Sequence, residues 1–188
     1  MALHRISEPL RESAKELKRI RSLAAIAMLL ALQIILGALT IKLGSYMQIT
    51  FDYLPQCVCA MFFGPAPAIL SGALSDLLSF LIQPTGVFHP GFMLTGAVNG
   101  LIYGLFFYRK NFDKPWKLIL FTALSRLIAV LIGNICLNNL WLLQMYGEGM
   151  WASMPSRIIK NVIEYPVSVV LLFSLQGIMN RIRKSMNI

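Results

Sequence analysis

The amino-acid sequence predicts an all-α membrane protein: a six-transmembrane-helix bundle with an N-terminal interfacial amphipathic helix. Composition is the first reason, because 57% of the 188 residues are hydrophobic, 13% are charged and the mean hydropathy is +0.67. A typical soluble domain is about half apolar and about a quarter charged. Distribution is the second reason, since apolar tracts of membrane-spanning length lie between short basic stretches.

The first element is the charged, helix-favouring segment 7–22. We predict that it forms an amphipathic helix on the inner leaflet, with Ser7 as a possible cap and Pro9 early in the helix. The alternative is a charged extension of the first transmembrane helix. The chain is then divided into an N-terminal amphipathic segment (1–22), a six-helix transmembrane domain (23–181) and a cytoplasmic tail (182–188).

The next apolar run, 23–43, has the length of one membrane crossing. The run 54–82 is too long for one crossing and contains the sequence Gly-Pro-Ala-Pro at 64–67. Because proline lacks a backbone donor and ends a helix, we predict two helices there. The predicted helices of the remaining chain, after turn-rich or basic connectors, complete the count of six. The five helices after the first are 54–63, 66–82, 92–108, 116–146 and 151–179.

Basic clusters predict the orientation, because Lys and Arg accumulate in short cytoplasmic loops. Six such residues lie within 5–21, four within 109–117 and three within 181–184. Six helices place all three clusters on one side, whereas five do not. We therefore expect a multi-pass membrane protein with both termini cytoplasmic. The connectors expected outside are 43–53, 83–91 and 146–151.

Polar residues inside the apolar helices predict a binding site near the outer face. Such groups are costly in lipid and usually face a partner, a cavity or a ligand. Arg157, Lys160 and Glu164 are spaced three and four residues apart, which places them on one helical face. The topology puts Asp76 and Asn138 towards the same outer side. It puts Arg126 nearer the inner half.

These residue types suit a solute that carries both carboxylates and a heteroaromatic ring. Arg157 and Lys160 would bind carboxylates, while Asp, Glu and Asn side chains would pair with ring donors. The alternative is that Asp76 or Glu164 simply neutralises a nearby cation as a packing ion pair.

Aromatic residues and alanines add two further candidates. Phe88 and Pro90 lie among glycines in TGVFHPGF, a loop that could close over a flat solute. Ala27 and Ala31 lie one helical turn apart, so another helix could approach closely there. The alternatives are internal packing for the alanines and, for Trp116, Tyr146 and Trp151, interfacial anchoring.

Several classes of function are not expected. The sequence lacks a phosphate-binding P-loop, a His-Glu-x-x-His motif and a Gly-x-Ser-x-Gly motif. The three cysteines lie in apolar stretches and are interpreted as packing thiols, so we predict neither a metal nor a cofactor. The net charge of +9 comes without a groove-reading motif, so no nucleic acid is expected. Binding without catalysis is the function that remains.

Five sequence strings carry a family resemblance: QITFDYLP, FFGPAPAILSGALSDLL, PTGVFHPGFMLTGAVNGLIYGLFFY, LNNLWLLQMYG and PSRIIKN. They resemble the substrate-binding (S) components of energy-coupling factor (ECF) vitamin transporters, and within these the folate type. The resemblance implies that the protein captures folate outside and joins one transmembrane coupling protein and two ATPase subunits in the lipid membrane. It also implies that Ala27 and Ala31 dock on the coupling protein.

The resulting hypothesis is a folate-binding S component without catalytic residues. Arg157 and Lys160 receive the glutamate carboxylates of folate, polar groups grip the pterin, and loop aromatics stack on its ring. The predicted substrate-binding residues are Tyr53, Asp76, Phe88, Pro90, Asn138, Trp141, Arg157, Lys160 and Glu164.

Three alternatives stay open. Two positions, His89 and Asn139, depart from the family pattern, so another vitamin or a queuosine precursor is an alternative solute. A small membrane enzyme with Asp76 and Glu164 as acid and base is an alternative of another class. A stand-alone proton-coupled carrier is the third.

Overall fold

A computed structural model describes residues 2–39, 41–42, 48–84, 88–110, 115–147 and 154–185. This part of the chain is helical apart from two short strands, β1 and β2, which pair antiparallel. The elements, in chain order, are α1 (Ala2–Ala14), a 3-10 turn (Glu16–Lys18), α2 (Ile20–Ala38), β1 (Ile41–Lys42), β2 (Gln48–Ile49), α3 (Tyr53–Phe63), α4 (Pro65–Ile82), α5 (Gly91–Phe107), α6 (Pro115–Ala129), a π-helical stretch (Val130–Leu137), α7 (Asn138–Tyr146) and α8 (Met154–Ser185).

Within the described residues, four helical stretches are long and apolar enough to cross a membrane. They are Ile20–Ala38, Pro65–Ile82, Trp116–Met145 and Ile158–Met179, and two shorter apolar helices, Tyr53–Phe63 and Gly91–Phe107, accompany them. Large apolar side chains point outwards along these helices, as Met28 does at 68% exposure. The predicted class, a helical membrane bundle, is confirmed, and the number of crossings stays a prediction.

The first long helix is shorter at its end than predicted. The interval 23–43 was expected to be helical throughout, but α2 ends at Ala38, where the N–H of Leu39 bonds to the carbonyl of Ile35. The chain then becomes extended and Ile41 pairs with Ile49. Hydropathy alone cannot separate the last turn of a helix from an apolar strand.

The helix break between α3 and α4 follows the glycine and proline of the sequence. Gly64 has φ +90, a conformation that favours glycine, and Pro65 begins α4. A Cβ at Gly64 would also overlap Ser13 and the Tyr108 ring. α3 therefore ends after 11 residues and rises only about 16 Å, roughly half of the hydrocarbon thickness.

Helices α4 and α5 pack against each other through glycines that the sequence analysis did not recognise. Gly96, Gly100 and Gly104 recur every fourth residue on α5, the spacing of a close helix contact in membranes. A Cβ at Gly100 would overlap the carbonyl of Ala68 on α4, and one at Gly104 would overlap Pro65. This contact fixes the rotation of α5 about its own axis. It therefore also fixes the direction of the polar face that lies beside the glycines.

The N-terminal helix is docked on the bundle. Ser13 is fully buried and accepts a hydrogen bond of 3.1 Å from the N–H of Ala66 in α4. Glu12 forms an ion pair with Arg109, just after α5. A 3-10 turn divides α1 from α2, and the position of α1 at the membrane interface stays a prediction.

Two sequence expectations about caps and thiols are corrected. α1 begins at Ala2, so Ser7 lies inside the helix and is not its cap. Cys57 and Cys59 are buried as predicted for packing thiols, but Cys136 is exposed. Cys136 lies within an apolar helical stretch, and composition alone does not show which residues of such a stretch face lipid and which face protein.

Candidate functional site

Helix α5 carries a second ridge beside its glycines, and this ridge organises the candidate site. Thr95, Asn99 and Tyr103 are spaced four residues apart. Each of them faces α6, the π-helical stretch or α7. The ridge thereby connects three layers of polar side chains. We call the end of the bundle where α4 ends and α5 begins the outer end, as the sequence predicts.

The deepest layer is a buried cluster around Arg126 on α6, which we call the Arg126 cluster. Arg126 donates hydrogen bonds to Ser168 (3.0 Å), to the Tyr103 hydroxyl (3.2 Å) and to Glu164 (3.3 Å). Its guanidinium also lies 4.2 Å from the centre of the Tyr53 ring. Four helices therefore meet on one cation whose charge is compensated.

The cluster corrects the predicted depth of Arg126. Arg126 was expected nearer the inner half and Glu164 towards the outer side, but their side chains form an ion pair in which both are less than 10% exposed. The two residues therefore lie at the same level of the bundle. The packing ion pair, which the sequence analysis kept as an alternative, is the arrangement that Glu164 adopts.

The middle layer consists of asparagines, and we call it the amide layer. Asn134 donates to Asn161 of α8 (3.1 Å), and Asn138 donates to Asn134 (3.4 Å). Asn99 of α5 lies against Gly133, where a Cβ would come within 2.7 Å of its side-chain oxygen. Amide side chains of three helical segments thus lie next to one another.

A wide helical turn places these amides. The N–H of Asn138 bonds to the carbonyl of Gly133, five residues earlier, as in a π-helix. Such turns are rare in proteins and occur frequently at functional sites. The amide layer therefore has a backbone feature that a regular α-helix would not provide.

The third layer closes the outer end. The indole N–H of Trp141 donates to the Thr95 hydroxyl (3.1 Å), and the His89 ring lies 5.5 Å from the indole, centre to centre. A Cβ at Gly91 would overlap the indole, so the start of α5 fits closely over Trp141. His89 itself accepts the N–H of Gly91 (3.1 Å), which holds the imidazole at this helix start.

Phe88 and Pro90 lie at the same outer end but are exposed. The Phe88 ring is 40% exposed and lies 5.1 Å from the ring of Phe80 on α4. It therefore contacts a different helix from the one that carries Trp141. The loop residues 85–87 lie outside the described part of the chain.

Of the two predicted cations, Lys160 has a described side chain and Arg157 does not. Lys160 is half-buried on α8 and close enough to Glu164 to interact with it electrostatically. Its neighbour Asn161 belongs to the amide layer. Arg157 belongs to α8, one turn before Lys160, but its side chain lies outside what the structure describes.

Asp76 lies apart from the amide layer. A Cβ at Gly96 would overlap its carboxylate, so Asp76 lies in the contact between α4 and α5. Gln56 of α3 donates to the Gly96 carbonyl (2.8 Å) at the same place, and Asp52 is within electrostatic range. The ion pairs of the described residues do not include Asp76, in contrast to Glu164.

Sequence reasoning missed Asn99 and Tyr103, although a signal was present. Both follow Thr95 at intervals of four residues, directly beside the glycine repeat. A glycine face marks the side of a helix that lies against its neighbour. The adjacent polar face could therefore have been placed towards the bundle interior.

The partner-binding candidates lie elsewhere. Ala27 and Ala31 are both exposed on α2, one turn apart. Within α2, Ile26 and Gln33 are the buried residues. Most of this helix is thus available to lipid or to another protein.

The chain is similar to a known family of membrane proteins and to named members of it. A family model described as the substrate-specific component of ECF transporters matches residues 21–175. A folate transporter, FolT, of Clostridium novyi (strain NT) is 28% identical over 166 residues, which is 88% of this chain and 94% of that protein. A FolT of Leuconostoc mesenteroides is 32% identical over 154 residues, 79% of this chain and 80% of that protein.

A solved structure has the same fold. The crystal structure of a FolT bound with folic acid superposes with a TM-score of 0.73 at 30% sequence identity. The match covers 83% of this chain and 91% of that one. The similarity therefore extends over nearly the whole bundle.

Proposed function

This chain belongs to the substrate-specific components of ECF transporters, and from that premise we propose that it captures folate outside the cell and delivers it inward with an ATP-driven energising module. The family is a transporter component and not an enzyme. One observation carries the proposal. The chain matches proteins named as folate transporters over most of their length, and it matches the crystal structure of a FolT bound with folic acid.

The three polar layers fit the shape and chemistry of folate. Folate has a flat pterin with N–H donors at one end and a glutamate with two carboxylates at the other. The amide layer offers acceptors for the pterin, and Lys160 with Arg157 offers positive charge for the carboxylates. Trp141, Phe88 and Pro90 would cover the solute from the outer end.

The short length of α3 leaves space for the solute in the outer half of the bundle. Its start, Tyr53, lies on the Arg126 cluster, and its rise of about 16 Å leaves the outer half of the bundle without this helix. Tyr53 and Glu164 would then form the floor of the site, below the pterin. Asp76 would line its side from the contact between α4 and α5.

The proposed topology has six crossings, from α2, α3, α4, α5, the continuous α6 to α7 segment, and α8. Both termini would be cytoplasmic and the membrane would be the bacterial plasma membrane. The basic clusters and the even number of helices support this orientation.

The proposed partners are one transmembrane coupling protein and two ATPase subunits. Ala27 and Ala31 would meet the coupling protein, because small exposed residues allow two helices to approach closely. No nucleotide is expected to bind to this chain itself, so the energy for uptake would come from the ATPases.

The first experiment is a binding measurement. Protein purified in mild detergent should retain folate that mass spectrometry detects, and ligand-free protein should bind folate in calorimetry. Retention of a different vitamin or a deazapurine would overturn the choice of solute. Saturable turnover of a lipid by the purified protein would overturn the binding function itself.

The second experiment tests delivery. Vesicles with the complete complex should accumulate folate with ATP, and a complex whose ATPases are inactivated should not. Uptake that persists without ATPase activity would favour a stand-alone carrier and contradict the proposal.

A further inference from the structure

Two oxygen atoms in the amide layer are buried without a donor. These atoms are the side-chain oxygens of Asn99 and Asn138, and neither has a hydrogen-bond partner in the part of the chain that the structure describes. A buried polar atom left unpaired costs about 1–3 kcal/mol, so proteins pair nearly all of them. Two such atoms in one layer call for an explanation.

The neighbouring amides do not share this property. The Asn134 oxygen accepts from Asn138 and the Asn161 oxygen accepts from Asn134. Asn139 donates to the carbonyl of Ile135 within its own helix. Among these amides of the described residues, the unpaired oxygens are therefore those of Asn99 on α5 and Asn138 on α7.

The two residues are placed together by independent contacts. Asn99 lies against Gly133, whose carbonyl receives the N–H of Asn138. One helical turn further towards the outer end, Thr95 of α5 and Trp141 of α7 are joined by a hydrogen bond. Both asparagines thus lie directly beneath the same link, between the floor at Arg126 and the cover at Trp141.

Resting on the proposed function, we infer that Asn99 and Asn138 determine specificity for the donor edge of the pterin. Their oxygens accept N–H groups of the 2-amino group and the adjacent ring N3 of folate. Neither oxygen can donate, so rings with acceptors at this edge are rejected. A site with unpaired acceptors discriminates strongly against a ligand without the matching donors.

The test uses folate and an analogue in which hydrogen replaces the 2-amino group. Wild-type protein should bind the analogue at least about tenfold more weakly, since one hydrogen bond to a buried acceptor is lost. In the double variant Asn99→Leu/Asn138→Leu, folate should bind at least about tenfold more weakly. In the double variant, the affinity for folate should exceed the affinity for the analogue by about twofold or less.

Two controls isolate the effect. Asn139→Leu removes a neighbouring amide that is bonded to its own helix, and it should keep the wild-type preference for folate. Pteroic acid lacks the glutamate and should bind more weakly than folate. The ratio of the two affinities should be the same in the wild type and in the double variant, because the glutamate is bound elsewhere.

The outcomes are separable. If the wild type does not bind folate, the proposed function fails. If the wild type binds folate and the analogue equally, or if the preference persists in the double variant, the inference is overturned while the function stands. Should the double variant not fold, the single variants Asn99→Leu and Asn138→Leu take its place, and an unchanged preference for folate in both would overturn the inference.

Discussion

The Arg126 cluster and the amide layer lie next to each other in the same bundle, and they differ in how completely their polar atoms are paired. Arg126 makes hydrogen bonds to three side chains and stacks on a fourth. In the amide layer, the side-chain oxygens of Asn99 and Asn138 have no partner among the described residues. In a low-dielectric interior, a fully paired network makes the structure rigid, whereas an unpaired acceptor is costly to bury.

The largest effect is expected from breaking the Arg126 cluster. Arg126→Met removes the partner of Glu164 and should lower the free energy of unfolding by about 3–5 kcal/mol, because a buried carboxylate loses its cation. Thermal unfolding of detergent-purified protein measures the effect.

The matched control is Arg109→Met, which breaks an ion pair with Glu12 in which both side chains are about half exposed. Exposed pairs contribute about 0–1 kcal/mol, so this variant should unfold almost as the wild type does. Equal losses in the two variants would contradict the distinction between the buried cluster and the surface pair.

A smaller effect, on binding rather than on stability, is expected from Lys160→Met. Loss of a charge-assisted hydrogen bond should weaken folate binding by about 1.5–3 kcal/mol, and the unfolding temperature should change little. Calorimetry with folate and pteroic acid checks this, since pteroic acid should bind both proteins alike. Lys117→Met, exposed near the start of α6, is the control and should bind folate as the wild type does.

Gly100→Ala tests whether the glycine contact holds α5 in place for both regions. The added Cβ would overlap the backbone of Ala68, so α5 must shift, and we expect a loss of about 1–3 kcal/mol in unfolding free energy. Gly177→Ala is the matched control, because a Cβ there would meet nothing within 4 Å. That change should be neutral or stabilising by up to about 1 kcal/mol. If both variants behave alike, the contact does not fix α5.

The smallest effect is expected from Ser13→Ala at the inner end. The N–H of Ala66 would lose its acceptor, which should cost about 1 kcal/mol in unfolding free energy. Folate affinity should stay within about twofold, because Ser13 contacts the start of α4, away from both polar regions. A marked loss of binding would mean that the docking of α1 influences the outer end.

Much of the fold could be predicted from local sequence. The break at Gly64 and Pro65 follows from backbone chemistry within four residues, and it was predicted. The position of Arg126 was not, because it depends on where α6 and α8 lie along each other. Asn99 was overlooked for a related reason, since a single amide in an apolar helix indicates burial but not its neighbour.

The sequence by itself determined the membrane class, the family and the approximate limits of the helices. These properties depend on hydropathy and on turn residues within short segments. The tertiary structure alone decided that Arg126 pairs with Glu164, 38 residues away, and that Asn99 lies beside Gly133. The physical reason is that such contacts depend on the rotation and tilt of packed helices, which the glycine face of α5 and the wide turn before Asn138 set together.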